Sequence, residues 1–322
     1  MIGIMKGVLH IFRKFEERRI FLILLSVWII MSIFYPREFL NTAVLKATIL
    51  AMSSIAVIAV GMTILLVSGG FDLSVGSVVT LTGVAAAIAI RSGLPWFIAM
   101  AAAIGCGILV GLSNGLIIAR LRINPFITTL GMMIFIRGFS TILAGGNNIP
   151  IINPSYNWIG QASLGSIQIP IWVCLFCVIL GDFLLRKSRY FRQNYYIGGN
   201  ENAAVLSGIP VKKIKILNYM LSGALAAVAG ILLSARLGNG SLTAGLNMEF
   251  KAITGAIIGG CALSGGKGTV LGSFLGAMLM ASIDSAINIM PVDTYWQEFV
   301  TGFVLIIAII VDSIGKKEYG TR

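Results

Sequence analysis

Histidine is almost missing from this 322-residue chain, since the single one, His10, lies in the N-terminal tail. A histidine-centred metal site or a Ser-His-Asp triad is thereby excluded. Charge is scarce as well: 11% of residues are Asp, Glu, Lys or Arg, against about 25% in ordinary soluble domains. The four cysteines, Cys106, Cys174, Cys177 and Cys261, all fall in apolar stretches, which excludes a secreted disulfide framework. Cys174 and Cys177 form a C-x-x-C, but on a spanning helix that spacing only sets two small apolar side chains on one face.

What is abundant is apolar surface. At 57% apolar, the chain carries more than a soluble core can enclose, and the natural solvent is a bilayer. A spanning helix takes ~20 apolar residues, so ten spans use about 200 residues and leave connections too short for an independent domain of roughly 50 residues or more. The chain therefore reads as an all-α polytopic membrane protein, one transmembrane domain over 1–322, and any energy source or solute-capture module is another chain.

The formal net charge of +12 would raise nucleic-acid binding in a soluble protein. Here the basic residues sit between apolar spans, where Lys and Arg mark the cytoplasmic side, so no nucleic-acid partner is expected. Expected spans run at about 20–35, 42–67, 77–90, 96–118, 125–144, 169–185, 216–234, 250–263, 271–290 and 296–313. Residues 1–19, 186–215 and 316–322 are expected in the cytoplasm, both termini included, and Gly145 to Gln168, which has no basic residue, outside.

Two interruptions are alike: Ser68-Gly69-Gly70 with Gly76-Ser77, and Ser264-Gly265-Gly266 with Gly272-Ser273. Both read S-G-G-x5-G-S, and the topology runs them in the same direction. Non-helical backbone at membrane depth survives only when buried in protein or lining a watery cavity, and paired interruptions in the two halves point to a transport pathway. Tight helix crossing through small residues is the other reading. Gly266-Lys267-Gly268-Thr269 fails the phosphate-loop pattern, because Cys261 stands at the first glycine position and Gly268 follows the lysine. Nucleotide binding on this chain is rejected.

An ionisable side chain at mid-span costs about 2.5–3.5 kcal/mol on insertion scales. The candidates are Asp72, Arg137 and Asp284. Asp72 is an acceptor for solute hydroxyls or a cap for the helix that follows; Arg137 and Asp284 are expected to pair and fix helix register. Asp182 and Asp312 are expected to be solvated near cytoplasmic ends. Ser74 and Asn114 join Asp72 as pathway candidates, with Glu249 a further one at the start of the eighth span. An ion-coupled secondary transporter, the alternative reading, would want more central carboxylates than Asp72 and Asp284 supply.

Tyr196 to Pro210 has a short helix-forming centre between glycines and a proline. Two turns of helix are stable only when docked, so the segment is offered to a partner or lies on the membrane surface as a connector.

At this point the sequence resembles the permease subunits of ribose-type ABC importers, which carry monosaccharides and, in some members, autoinducer-2. The matching stretches are Gly69-Gly70-Phe71-Asp72-Leu73-Ser74-Val75-Gly76, Asn124-Pro125-Phe126-Ile127-Thr128-Thr129-Leu130-Gly131 with Arg137-Gly138, Gly198 to Gly208, and Leu263 to Thr269. The resemblance implies a bacterial inner-membrane pore of two permease copies or sister permeases, a cytoplasmic ATP-hydrolysing subunit and an extracytoplasmic solute-binding protein. It implies that this chain is no enzyme and needs no cofactor. Glu201, Asn202, Ala203, Ala204 and Gly208 resemble the family's coupling helix, with Asn202 where glutamate is usual.

Overall fold

The computed structural model describes residues 16–293 and 295–320. Most of the expected N-terminal tail, with His10, and the last two residues lie outside them.

The described chain is helical, with short strands only in its connections. The long helices are α1 (Glu16–Phe34), α3 (Thr42–Val67), α4 (Val75–Arg91), α5 (Trp96–Leu121), α6 (Pro125–Leu143), α8 (Ile169–Lys187), α11 (Val211–Leu237), α13 (Val270–Ile289) and α14 (Trp296–Gly320). Shorter ones are α2 (Pro36–Phe39), α7 (Pro154–Gln161), α9 (Arg189–Gly199), α10 (Glu201–Leu206) and α12 (Met248–Ile258). Among the described residues, seven helices are long and apolar enough to cross a membrane: α3, α5, α6, α8, α11, α13 and α14 over Trp296–Ser313.

Starts and stops follow local chemistry. Asn41, Asn124, Asn153 and Asn200 each cap a helix by accepting a backbone N–H in its first turn, and prolines at 125 and 154 open two of those helices. Thr269 does the same for α13, accepting from Gly272 N at 3.0 Å. The hydroxyl at the end of Gly266-Lys267-Gly268-Thr269 thus serves as a helix cap.

The expected eighth span, 250–263, is corrected. Helix α12 has 11 residues and rises about 16 Å, half of a hydrocarbon core ~30 Å thick. Cys261 to Thr269 is turn and extended chain. The residues between α11 and α12 also dip inward, since Gly240 packs on Gly83 and Val84 of α4 while Gly245 packs on Gly76. Helix α4, at 17 residues, begins at that depth.

Helix α3 is the axis. Every residue from Met52 to Val67 is buried, and a helix apolar all round belongs inside a bundle. Helices α11, α13, α8 and α12 surround it. Helices α6 and α14 lie at the periphery, exposing Phe135, Ile142, Phe299 and Phe303 among others. In lipid no hydrophobic force joins helices, so close approach depends on small residues. Helix α5 carries Gly107, Gly111 and Gly115 at four-residue spacing, against Gly223, Tyr219 and Ile216 of α11. That stripe is legible in the sequence once the four-residue period is sought.

In the connections, β1 (Ile149–Pro150) pairs antiparallel with β4 (Asn239–Gly240), and β2 (Ser163–Leu164) with β3 (Ile167–Gln168). The first pair ties the long charge-free loop to the end of α11.

A methyl group at Gly111 would meet the backbone of Tyr219 and Met220, whereas one at Gly105, on the same helix, meets nothing within 4 Å. Gly111→Ala is expected to destabilise the protein by about 1–3 kcal/mol through overpacking, read as a lower melting temperature in detergent. Gly105→Ala leaves the melting temperature unchanged.

Candidate translocation and coupling sites

Asp72 lies in the break between α3 and α4. Its Oδ1 accepts from the Ser74 backbone N–H at 2.8 Å, from Ser74 Oγ at 2.6 Å and from Asn114 Nδ2 at 3.4 Å. Asn114, on α5, donates through Nδ2 to Ser74 Oγ as well, at 2.9 Å. The carboxylate therefore gathers the start of α4 and the middle of α5 into one knot. Asp72 is 1% exposed, and Ser74 and Asn114 are 0% exposed. Tyr219 closes the floor, donating its hydroxyl to Phe71 O at 3.1 Å. Asn114 Oδ1 is buried and finds no hydrogen-bond partner among the described residues.

Glu249, in the first turn of α12, stands against Gly76 in the first turn of α4, where any side chain would collide with its carboxylate. Arg137 Nη2 donates to Glu249 Oε1 at 3.4 Å; the arginine side chain is 36% exposed and the glutamate 1%. Glu249 Oε2 is buried and finds no hydrogen-bond partner among the described residues. The expected Arg137 to Asp284 pair does not form. Asp284 Oδ2 instead binds Lys251 Nζ at 2.7 Å. The reason is α12: residues 249 and 251 are two apart, so on a helix they face different ways, and each reaches its own neighbour on α6 or α13. Asp182 is also not simply solvated, because its Oδ2 pairs with Arg186 at 2.8 Å, and Asp312 Oδ2 accepts from the Leu263 backbone N–H at 3.4 Å.

The two glycine hairpins behave alike at their S-G-G ends. A methyl group on Gly265 would lie 2.9 Å from Gly69 Cα and 2.8 Å from Gly198 Cα; one on Gly266 would lie 3.1 Å from Gly199 Cα. Gly266 N donates to Val67 O at 2.9 Å, and Gly69, Gly265 and Gly266 all have positive φ, which glycine alone adopts without strain. Gly70 backs onto the Tyr219 hydroxyl. The G-S ends do something else. Gly76 and Gly272 admit Glu249 and Gly259 respectively, while Ser77 Oγ binds Met133 O at 2.9 Å and Ser273 Oγ meets Thr63 Oγ1 at 2.6 Å. The repeat thus combines interrupted backbone at one end with close helix approach through small residues at the other.

In the basic loop, α10 spans Glu201–Leu206, capped by Asn200 Oδ1 on Ala203 N at 3.0 Å. It ends at Gly208, with φ +80°, while Ile209 N reaches back to Ala204 O at 3.1 Å. Ala204 is buried with Ile197, Val211 and Ile214. Glu201 bridges Lys215 at 2.6 Å. Val205 and Leu206 are 55% and 88% exposed, while Asn202 and Ala203 are exposed beside them. The preceding helix, α9, is less of a surface element than the loop's polarity indicates: Asn194 is buried and accepts from Asn218 Nδ2 of α11 at 2.8 Å.

Interrupted helices, buried charge pairs and a capped short helix in a basic loop, set among helices long and apolar enough to cross a membrane, are features of a polytopic membrane protein. Residues 44–309 match the family described as branched-chain amino acid transport system / permease component. The ribose import permease protein RbsC of Escherichia coli (strain K12) is 37% identical over 262 residues, 80% of this chain and 82% of that protein. The ribose import permease protein RbsC of Haemophilus influenzae is 35% identical over 309 residues, 94% of this chain and 95% of that protein. The L-arabinose transport system permease protein AraH of Escherichia coli (strain K12) is 34% identical over 307 residues, 95% and 93% of the two chains. This chain belongs to that permease family. No solved structure matches it.

Asp72→Ala strands the donors of Ser74 and Asn114 in a buried site and is expected to cost about 1–3 kcal/mol. Asp72→Asn keeps an acceptor and costs less; thermal melting in detergent orders the two. At the second site, Arg137→Ala leaves the Glu249 carboxylate buried and alone. It should destabilise by about 2 kcal/mol, discounted because the arginine is partly exposed. Arg137→Ala with Glu249→Ala should recover much of that loss, which a double-mutant cycle measures.

Proposed function

We propose that this chain is the pore-forming membrane subunit of a bacterial ABC importer for a small polyhydroxylated solute of the monosaccharide class. The solute class rests on the relatives, which are ribose and arabinose permeases by name. The whole described chain acts as one transmembrane domain in the inner membrane with both termini cytoplasmic. An extracytoplasmic binding protein delivers the solute, a second permease completes the pore, and ATP is hydrolysed on a separate cytoplasmic subunit.

The observation that carries this reading is α10. Six residues cannot form a helix unaided, yet this one is capped at both ends, anchored on one side through Ala204, and presents Val205 and Leu206 to the cytoplasm on the other. An apolar pair held out on a short, fixed helix is built for a groove on another protein. Glu201 to Gly208 is then the lever between nucleotide hydrolysis and the pore.

Asp72, Ser74, Asn114 and Glu249 form the polar wall of the pathway. Asn114 Oδ1 and Glu249 Oε2 are buried acceptors without hydrogen-bond partners among the described residues, and a polyol arriving between opened helices supplies hydroxyl donors to both. Selectivity then rests mainly on the binding protein.

Leu206→Asp removes the exposed anchor without touching the buried face of α10. Reconstituted with its ATPase and binding protein, this variant is expected to lose solute-stimulated ATP hydrolysis by about tenfold or more, the value of one interface hot spot, with unchanged melting of the isolated permease. Solute uptake by the wild-type chain alone, driven by an ion gradient, would overturn the importer assignment.

A further inference from the structure

The S-G-G ends of the two hairpins meet each other and the Gly198-Gly199 pair that closes α9. Only one residue, the helix cap Asn200, separates that pair from α10. Three segments far apart in sequence thus touch backbone to backbone. Gly265 lies against Gly69 and Gly198, and Gly266 against Gly199. A side chain at Gly198 would strike Val67 O, the Gly266 nitrogen and the Gly265 Cα. Two hydrogen bonds lock the arrangement, Gly266 N to Val67 O at 2.9 Å and Tyr195 Oη to Gly268 O at 2.8 Å.

Side chains at a contact can change rotamer and absorb motion. Backbone against backbone cannot, because packed interiors shift between discrete arrangements rather than deforming continuously. A displacement of α10 must then move Gly198, and Gly198 cannot move without moving both hairpins. The first hairpin carries Asp72 and Ser74; the second caps α13 through Thr269.

We infer that this glycine junction is the transmission element of the permease: Gly198 and Tyr195 are positioning residues that pass the movement of α10 to both interrupted segments at once. The inference rests on α10 being the docking helix for the ATPase, and it adds the route inward from that helix.

The test measures uptake per ATP hydrolysed in proteoliposomes holding the permease, its ATPase and its binding protein. Gly198→Ala wedges α9 away from the hairpins, and Tyr195→Phe removes one hydroxyl while keeping the ring. Gly198→Ala is expected to keep solute-stimulated hydrolysis within about twofold but to lower uptake by about tenfold or more, as a small misplacement does at a working site. Tyr195→Phe should lower the ratio about threefold, the worth of one hydrogen bond. Gly105→Ala, whose added methyl meets nothing, keeps the wild-type ratio. Should Gly198→Ala not assemble, Tyr195→Phe decides. A wild-type ratio in Tyr195→Phe, or in a well-assembled Gly198→Ala, overturns the inference. Absence of solute-stimulated hydrolysis in the wild-type assembly overturns the importer reading, and this inference with it. Parallel loss of hydrolysis and uptake in both variants also overturns it, because the junction would then serve docking and not transmission.

Discussion

A single backbone hydrogen bond, from Gly266 N to Val67 O, states the constraint under which this protein is built. In a bilayer an interrupted helix leaves amide groups that water cannot reach, and each must find a partner inside the protein. Here the partner of one interruption is the end of the helix that opens the other. Beside that bond the backbones come closer still, and where Gly265 faces Gly69 and Gly198 a side chain on Gly265 would collide. The sequence repeat, the positive φ angles and the burial of α3 follow from this closure.

The same logic governs the helix contacts. Where soluble proteins would interlock leucines, α5 and α11 meet through Gly107, Gly111, Gly115 and Gly223, and α12 and α13 through Gly255, Gly259, Gly272 and Gly276. The large apolar side chains are turned outward on α6 and α14, where lipid or another subunit receives them at no cost. Small residues thus set the closest helix crossings, while large apolar side chains both fill the core along α3 and face outward on the peripheral helices.

Much of this was legible in the linear sequence. Apolar runs located the long helices, Asn124-Pro125 marked the start of one of them, and the S-G-G repeat marked both breaks. The length of α12 was not, because an apolar run of fourteen residues looks the same whether all of it or only Met248–Ile258 is helical. The pairing of the charges failed for a related reason. Spacing along one helix says which residues share its face, but Arg137 meets Glu249 and Lys251 meets Asp284 only because a half-helix is inserted between α6 and α13. The burial of α9 against α11 through Asn194 and Asn218 carried no signal beyond two ordinary asparagines in a polar loop.

A solute route along these polar groups, as proposed, is closed in this structure. Asp72, Ser74, Asn114 and Glu249 are each at most 1% exposed, and most of their hydrogen-bonding capacity is spent on one another and on Arg137. Were these groups to line an open channel in the resting state, water would solvate them and a passing solute would gain little by contact. Buried and partly unsatisfied, they make the resting protein hold two acceptors short of donors, each at a cost of about 1–3 kcal/mol. In the proposed transport cycle, opening would replace internal bonds by bonds to solute or water, so part of the work of separating the helices would be returned at the site itself. The remainder must be supplied from outside the polar knot, and in the proposed cycle it arrives through the glycine contact that sets Gly265 against Gly69 and Gly198, at the end of the helix preceding α10.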